Sequence, residues 1–496
     1  MERSKLDALF WEQNMFDNLI VQGETDIEQE NLDNIPFECI DEFRILRDDN
    51  YNIKLICNKN VNQFSEPAIK KEKIRKEILP GTWVPQGKIS LRLFDEFQIV
   101  MSPCYYKGEK WKTNKTEYKI YCCHLEGKSL SKETVFLKEW LINGSSKGLC
   151  FCVNETFKYT VGEKISGLYG ELEFPGTRLR QVYECAGNFV HIKYKDTAFD
   201  IHYINNEYGP KWSNNISISY YKEYGRIPDD KERNIIREYI SFLSGKRLIY
   251  TGESHYDQNG DMVGFVMESP KTYDLDIKRI CANAEVAPIR NDYQEAKTYF
   301  KTFVELLEPF ENLYYKLDFQ SLFSACWYAH EIAKPMDLPI LAGALEHLVK
   351  KWYSEIGLNP ETVLINKKDF SKRIKPIKKM MEKQFEGTEY IDRMKNSISN
   401  INKMSISEQF SNFFAEIGIA VGEKEKQALK ARNFSAHGSY VSGEENYYKQ
   451  FELSRIYENL IARVVLKLLG YTGKYVDRGT IGFPERNIAV PIGGDE

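Results

Sequence analysis

The sequence lacks the features of a secreted or membrane-spanning protein. Its first seven residues, from Met1 to Asp7, contain no apolar core of the kind that a secretion signal requires. No stretch approaches the roughly 18 uninterrupted apolar residues of a membrane helix, and the longest candidate, residues 460–469, is interrupted by Arg463 and Lys467. The ten cysteines include no C-x-x-C pair, so we expect free, mostly buried thiols in a reducing compartment. These absences predict a cytoplasmic protein without a membrane partner.

Motifs for cofactors and metals are also missing. The chain has no Walker loop, no dinucleotide fingerprint and no HExxH motif. Cys122, Cys123 and His124, or Cys150 with Cys152, are residue types that bind zinc, but the usual knuckle spacing is absent. We therefore expect neither a cofactor nor a metal.

The composition is that of a folded protein with little net charge. Apolar residues make up 42% and charged residues 28% of the 496 positions, which excludes an intrinsically disordered chain. The length suggests two to four domains. The formal net charge of −4 gives no sign of nucleic-acid binding, so any basic surface has to be local.

Before about residue 290 the sequence reads mainly as short strands. Residues 43–47 and 51–56 flank the turn Asp48-Asp49-Asn50, as the strands of a hairpin do. Residues 88–94 alternate polar and apolar side chains, the pattern of a half-buried strand. Many short strands with regular turn signals predict a β-sandwich or barrel-like domain. Residues 228–290 look mixed, with a helix near 231–243 followed by strand-like pieces.

After residue 290 the pattern is helical nearly to the end. In two segments, apolar residues recur at the i, i+3, i+4, i+7 spacing of one buried helix face. These residues are Leu338, Leu341, Ala342, Leu345, Leu348, Val349 and Trp352 in the first segment, and Leu453, Ile456, Tyr457, Leu460, Ile461, Val464, Val465 and Leu468 in the second. Further helices are predicted near 292–316, 318–332, 366–385, 405–418 and 423–436. The C-terminal part is therefore expected to be an all-α bundle.

These patterns predict an α+β multidomain protein, β-rich in its N-terminal half and all-α afterwards. The expected division is a helical or irregular segment at 1–40, a β-rich domain at 41–227, a mixed connecting region at 228–290, a helical domain at 291–475 and an irregular tail at 476–496.

The residues that carry the most chemistry lie together near the C-terminal end. Arg432 offers a fork of donors that suits a phosphate, Asn433 offers an amide donor and an acceptor, and His437 exchanges protons near neutral pH. In a helix, Asn433 and His437 share a face, with Arg432 about 100° away. An Arg and a His at one phosphate suit RNA cleavage, in which the 2′-hydroxyl is the nucleophile.

This segment resembles the R-x4–6-H motif of the HEPN superfamily, including a polar residue after the Arg. The context is similar too: a late helix in an all-α domain, Gly438 after the His, and one more long amphipathic helix at 444–469. The size, the β-rich first half and the ending Leu468-Leu469-Gly470-Tyr471 look like the large bacterial abortive-infection HEPN proteins, the ApeA-like group. The superfamily resemblance covers about residues 290–475.

The resemblance implies a metal-independent endoribonuclease in antiphage defence that cleaves host or phage RNA, tRNA among the candidates. Arg432 and His437 are then catalytic and Asn433 is a positioning residue. Because two HEPN domains usually share one cleft, it also implies a homodimer or higher even oligomer through the helical domain. The β-rich half would be a sensing or regulatory domain that a phage-derived trigger releases.

Several basic or acidic residues are candidates for supporting roles. Glu346 lies at the edge of the apolar stripe of residues 338–352, where its carboxylate could orient Arg432; an ordinary boundary position explains it as well. A local excess of lysines could follow an RNA backbone, or be a solvated helix face. The candidate RNA-binding residues are Lys372, Arg373, Lys375, Lys378 and Lys379, with Lys430 beside the motif. We expect His330 and His347 to be structural or surface residues.

Two other functions fit the same sequence. The first is a non-catalytic HEPN module that binds RNA or a protein, for example as one half of a toxin–antitoxin pair; the intact Arg432 and His437 favour the enzyme. The second is a carbohydrate-binding β-sandwich joined to a helical oligomerisation domain, which a surface cluster of exposed Trp and Asp or Asn would support.

Overall fold

The structure is a computed structural model. It describes residues 26–30, 42–48, 50–60, 87–93, 97–112, 115–129, 132–144, 151–167, 170–187, 189–204, 214–270, 276–291, 296–332, 336–356, 362–436 and 444–494. Strands over residues 151–187 and the helical residues 432–436 are among the parts described by their backbone alone.

The chain forms two compact units. The first contains Met1–Glu285 and Asn291–Phe300, and the second contains Val286–Arg290 and Lys301–Glu496. The first unit is built on an antiparallel β-sheet and the second is mainly helical. The protein is therefore an α+β protein. Its secondary structure changes from mainly strands to mainly helices near residue 290, where the sequence pattern also changes.

The strands of the first unit are, in chain order, β1 (Asp26–Glu30), β2 (Glu42–Arg47), β3 (Ile53–Asn60), β4 (Gly87–Leu93), β5 (Phe97–Lys112), β6 (Lys115–Ser129), β7 (Phe136–Ile142), β8 (Phe151–Gly167), β9 (Gly170–Gly187), β10 (Phe189–Tyr194), β11 (Thr197–Ile204), β12 (Asn215–Tyr221), β13 (Ile249–Tyr256) and β14 (Met262–Glu268). A twelve-stranded sheet has the order β1-β4-β5-β6-β14-β13-β7-β12-β11-β10, with the β2–β3 hairpin joined to β6. Strands β8 and β9 pair separately.

The predicted β2–β3 hairpin is confirmed, and its turn has a local cause. The Asp48 carboxylate accepts hydrogen bonds from the backbone N–H of Asn50 and Asn52, both at 2.9 Å. This is the Asx arrangement by which an Asp closes a turn. Strand β1 lies within the segment predicted to be helical or irregular.

Strands β13 and β14, predicted within the mixed region, lie in the middle of the sheet. The neighbouring strand β7 is buried almost throughout. Helix α1 (Asp230–Ser244) begins with a capping box between Asp229 and Glu232. It is fixed to the sheet by buried charges: Arg233 donates to Glu139 at 2.8 Å and to Glu253 at 2.7 Å.

The core of the first unit is apolar and includes thiols. Ile53, Leu55, Ile120, Phe265 and Met267 are almost fully buried in one cluster. Cys57, Cys104 and Cys122 lie in the same cluster, and each described cysteine is free. Burial raises the pKa of the Cys57 thiol, so this thiol is unreactive at neutral pH.

The remaining helices are α2 (Ile277–Ala282), α3 (Ala296–Tyr314), α4 (Phe319–Glu331), α5 (Leu338–Glu355), α6 (Lys367–Gln384), α7 (Ile391–Asn400), α8 (Ile406–Glu416), α9 (Glu423–Ala436) and α10 (Glu444–Leu468). The helices predicted after residue 290 are confirmed, and the apolar stripe predicted for α5 is buried in full. Helix α7 was missed because Asn, Ser and Asp, which favour helices weakly, fill much of it. None of the helices that the structure describes has the length and apolarity needed to cross a membrane.

The C-terminal tail contains a two-stranded sheet of β15 (Lys474–Val476) and β16 (Glu485–Asn487). Asp477, which is fully buried, accepts hydrogen bonds from the Thr480 hydroxyl and Arg486 Nε, both at 2.7 Å, and from Gly493 N–H at 2.9 Å. One carboxylate therefore joins three points of the tail.

Candidate functional site

Helix α9 carries the first part of the predicted motif. At its start, the Glu425 carboxylate accepts a hydrogen bond from Gly422 N–H at 2.7 Å, which satisfies one of the donors that a helix N-terminus leaves open. The helix then runs through Lys430, Arg432 and Asn433 and ends at Ala436. The predicted helix over residues 423–436 is confirmed.

The predicted catalytic set is only partly within the described residues. Arg432 and Asn433 are described by their backbone, and His437 lies outside the described residues. The described helix ends one residue before His437. Convergence of the three side chains on one phosphate therefore stays a prediction.

The backbone of α9 places positions 432 and 433 on different rows of the helix. Glu425 and Ala428 are fully buried, and at 3.6 residues per turn position 432 continues their row. Lys426 and Lys430 are exposed, and position 433 continues that row instead. Because α9 packs against α5 and α10, position 432 belongs to the packed side and position 433 to the outward side.

Glu346 lies on α5, one of the helices that pack against α9. Its side chain is 30% exposed and forms an ion pair with Lys350 at 2.9 Å. It neighbours the buried Leu345, so the predicted position at the edge of the apolar stripe is confirmed. Pairing between Glu346 and Arg432 stays a prediction.

Arg463 of α10 is the charged residue that sequence reasoning undervalued. It is fully buried and forms an ion pair with Glu425. Its guanidinium also donates to the carbonyl oxygens of Ile488, at 3.0 Å, and Ala420, at 3.2 Å. Burial raises the pKa of Glu425, against the opposing effect of Arg463. The sequence did contain a signal for this buried pair: an Arg lies within an otherwise apolar helix face, and a charge in that position requires a buried partner.

The histidines expected to be structural both contact carboxylates. His330 Nε2 of α4 contacts the carboxylate of Glu458 of α10. His347 Nε2 lies 2.8 Å from Asp318, which also caps the start of α4. Both histidines therefore have partners that account for their positions.

The candidate RNA-binding lysines of α6 fall into two groups. Lys372, Lys375 and Lys379 are exposed, as is Arg373. Lys378 instead donates a hydrogen bond to Ser399 of α7 at 2.6 Å. Three of the five predicted residues therefore share one outward side, while Arg373 and Lys378 lie on its two flanks.

Of the two cysteine clusters considered as zinc sites, only the one at residues 122–124 has described side chains. Cys122 and Cys123 are buried, and His124 Nδ1 contacts Glu268 at 2.5 Å. The side chains of Cys150 and Cys152 lie outside the described residues. Among the side chains that the structure describes, no group of three or more His, Cys, Asp and Glu is arranged to hold a metal ion.

The chain was also compared with known proteins. No protein-family model, no curated protein and no solved structure matches the chain.

Proposed function

We propose that the chain is a metal-independent endoribonuclease of the HEPN type that acts in bacterial antiphage defence. The observation that carries this proposal is helix α9. It is packed against α5 and α10, and its described residues run through Arg432 and Asn433 to Ala436. A helix that packs against two neighbours gives an active site the support that its groups need to stay in place.

The reaction that these residue types suit is transfer of the phosphoryl group within RNA. The 2′-oxygen attacks the adjacent phosphorus, and the bond from phosphorus to the 5′-oxygen breaks. His437 removes the proton of the nucleophile or supplies one to the leaving oxygen, and Arg432 stabilises the charge that develops on the phosphate. The products are a 2′,3′-cyclic phosphate and a 5′-hydroxyl end.

The sequence offers an electrostatic reason for a His at position 437, because Gly438 is the expected end of this helix. The last carbonyl groups of a helix lack helical partners, and the C-terminal end of the helix dipole favours a nearby cation by about 0.3–1 kcal/mol. A His at the end of a helix is favoured in its protonated form, the form that acts as a general acid.

A second copy of the chain is part of the proposal. Helix α10, the next described element after the motif, presents three aromatic side chains near its start. Tyr447, Tyr448 and Phe451 are 46%, 61% and 36% exposed. Adjacent exposed aromatics of this kind mark interaction surfaces, and a two-fold homodimer would bring two motifs to one cleft.

The test is cleavage of RNA by the full-length chain in EDTA, with the product ends identified. We expect 2′,3′-cyclic phosphate and 5′-hydroxyl ends, and at least a 100-fold loss of rate in His437→Ala. Lys426→Ala, on the outward row of the same helix, is the matched control and should retain the rate. Equal rates for His437→Ala and the wild type would contradict the proposal, as would 5′-phosphate ends formed only with magnesium. RNA binding without cleavage would indicate the non-catalytic module.

A further inference from the structure

Helix α6 carries a row of lysines along one side. Five of them follow one another at intervals of four, three, four and four residues: Lys368, Lys372, Lys375, Lys379 and Lys383. At 3.6 residues per turn, these positions fall within about 80° of one another around the helix. With a rise of about 1.5 Å per residue, the row is about 22 Å long.

The row faces solvent and is not neutralised within the described residues. All five lysines are exposed, and none of their ammonium groups makes an ion pair or hydrogen bond there. Other lysines of the same unit are paired, such as Lys350 with Glu346 and Lys395 with Glu382. The five charges of the row therefore add to one another along a line.

The opposite side of α6 is occupied by its neighbour. Phe370, Ile374 and Met381 are half-buried or buried, and α6 packs against α7. Lys378 donates to Ser399 on this side. The row is thus the outer edge of a helical hairpin whose apolar side is turned inward.

The base of the hairpin is closed by backbone pairing. Val363 bridges Lys403, and the Asn402 amide donates to Ile365 O at 2.7 Å while accepting from Ile365 N–H at 2.9 Å. Asn402 is almost fully buried. Because both ends of the hairpin are joined there, α6 is held at its base as it presents the row.

We infer that the lysine row of α6 is a docking surface for the phosphate backbone of single-stranded RNA, a second contact that rests on the proposed ribonuclease function and lies on a different helix from the motif. Cations that recur every three or four residues on one side of α6, before and after Pro376 in the sequence, suit a polymer whose charges are also regularly spaced. Such contacts carry no sequence information and act mainly through counterion release. The row would hold an RNA strand by its backbone whichever bases it contains.

An anionic membrane is the competing partner, and the structure favours it less. A membrane-surface helix buries its apolar face in the lipid, whereas the apolar face of α6 packs against α7. Ile377 and Met380 are exposed, at 47% and 69%, but only on one flank of the row. On α6 itself, two such side chains offer little area for insertion.

The salt dependence of binding gives a quantitative expectation. Five lysine–phosphate contacts with a single strand predict a slope of about −3.5 for the logarithm of the binding constant against that of the salt concentration. Removing two contacts should reduce the slope by about 1.4 and weaken binding roughly 10-fold at moderate salt.

The experiment measures binding of a short 2′-O-methyl single strand to the full-length protein by fluorescence anisotropy, at several salt concentrations from about 50 to 200 mM. This strand has no 2′-hydroxyl, so binding is separated from cleavage. The test variant is Lys372→Gln/Lys379→Gln, within the row. The matched control is Lys367→Gln/Arg393→Gln, which removes the same charge from exposed positions of the same helical hairpin outside the row.

We expect the test variant to lose about 10-fold in affinity with the reduced slope, and the control to lose less than threefold. Equal losses in the two variants would overturn the inference, as would no RNA binding by the wild type. Row-dependent binding to phosphatidylserine vesicles without RNA binding would assign the surface to a membrane instead. Row-dependent RNA binding by a chain that never cleaves RNA would sink the proposed nuclease while leaving this docking surface in place.

Discussion

Arg463 of α10 and Glu425 in the first turn of α9 form an ion pair in which both side chains are fully buried. Replacing Arg463 by Met leaves the Glu425 carboxylate buried without its cation, so we expect unfolding free energy to fall by about 3–5 kcal/mol. Arg455→Met is the control, since that ion pair with Glu458 is partly exposed and should cost about 1 kcal/mol or less. Urea denaturation measures both.

A double variant separates the pair from other effects of Arg463. In Arg463→Met/Glu425→Gln no buried charge remains alone, so its loss should be smaller than the sum of the two single losses. Additive losses would mean that the hydrogen bonds from Arg463 to Ile488 and Ala420, and not the ion pair, account for the stability.

Glu253 of β13 predicts an acid-dependent loss of stability. Burial alone would raise the pKa of Glu253, but the hydrogen bond with His255 and the charge of Arg233 lower it from 4.5 to about 2. The ionised carboxylate therefore stabilises the folded state fully above about pH 4.5, and this contribution is lost as the pH falls towards 2. Its size is about 3 kcal/mol.

The measurement is the free energy of unfolding against pH for the wild type and Glu253→Gln. Between about pH 5 and pH 2 the wild type should lose stability more steeply than the variant. Parallel curves would show that Glu253 is not held in its charged form by these partners.

Glu346 is predicted to orient Arg432 from the neighbouring helix. Glu346→Ala should lower kcat roughly 10-fold with little change in KM, because the orienting contact acts in the transition state, and Glu346→Asp should restore part of the rate. Lys350→Gln breaks the observed ion pair from its other end and should leave kcat unchanged. If Lys350→Gln lowers kcat as much as Glu346→Ala does, Glu346 has a structural role and does not orient Arg432.

Asp477 predicts that the tail contributes to stability. In Asp477→Asn an amide N–H group faces groups that are themselves donors. We therefore expect the free energy of unfolding to fall by about 2–3 kcal/mol and hydrogen exchange in residues 474–494 to become faster. Thr480→Val removes only one of these hydrogen bonds and should cost about 1 kcal/mol. Unchanged exchange in Asp477→Asn would show that the tail is held elsewhere.

The β-rich half is predicted to restrain the proposed nuclease. Expressed in bacteria, residues 286–496 should be more toxic than the full chain, and His437→Ala should abolish the difference. Growth curves with matched expression levels decide this. A soluble fragment that is harmless beside a toxic full chain would mean that the first half delivers the substrate.

Apart from α7, the helices after residue 290 could be predicted from the sequence because their cause is local. The apolar series of α5 and α10 repeats at the helical period, and the buried faces follow it. The β2–β3 hairpin was equally readable, since Asp48 closes its turn with neighbours a few residues away. The glycines and the proline of the tail predicted little regular structure. They could not predict that the hydrogen bonds of Asp477 join several points of this segment.

By itself, then, the sequence determined the α+β class, the positions of the helices after residue 290 other than α7, and the order of residues in the predicted motif, because each depends on spacing along a short stretch of chain. Only the tertiary structure decided which strands are central, which charges are buried, and which face of α9 or α6 is packed. Strands β13 and β7 pair across more than a hundred residues, and Arg463 meets Glu425 from another helix. Such contacts depend on which surfaces meet when the chain folds, and the spacing of residues along the sequence does not specify that.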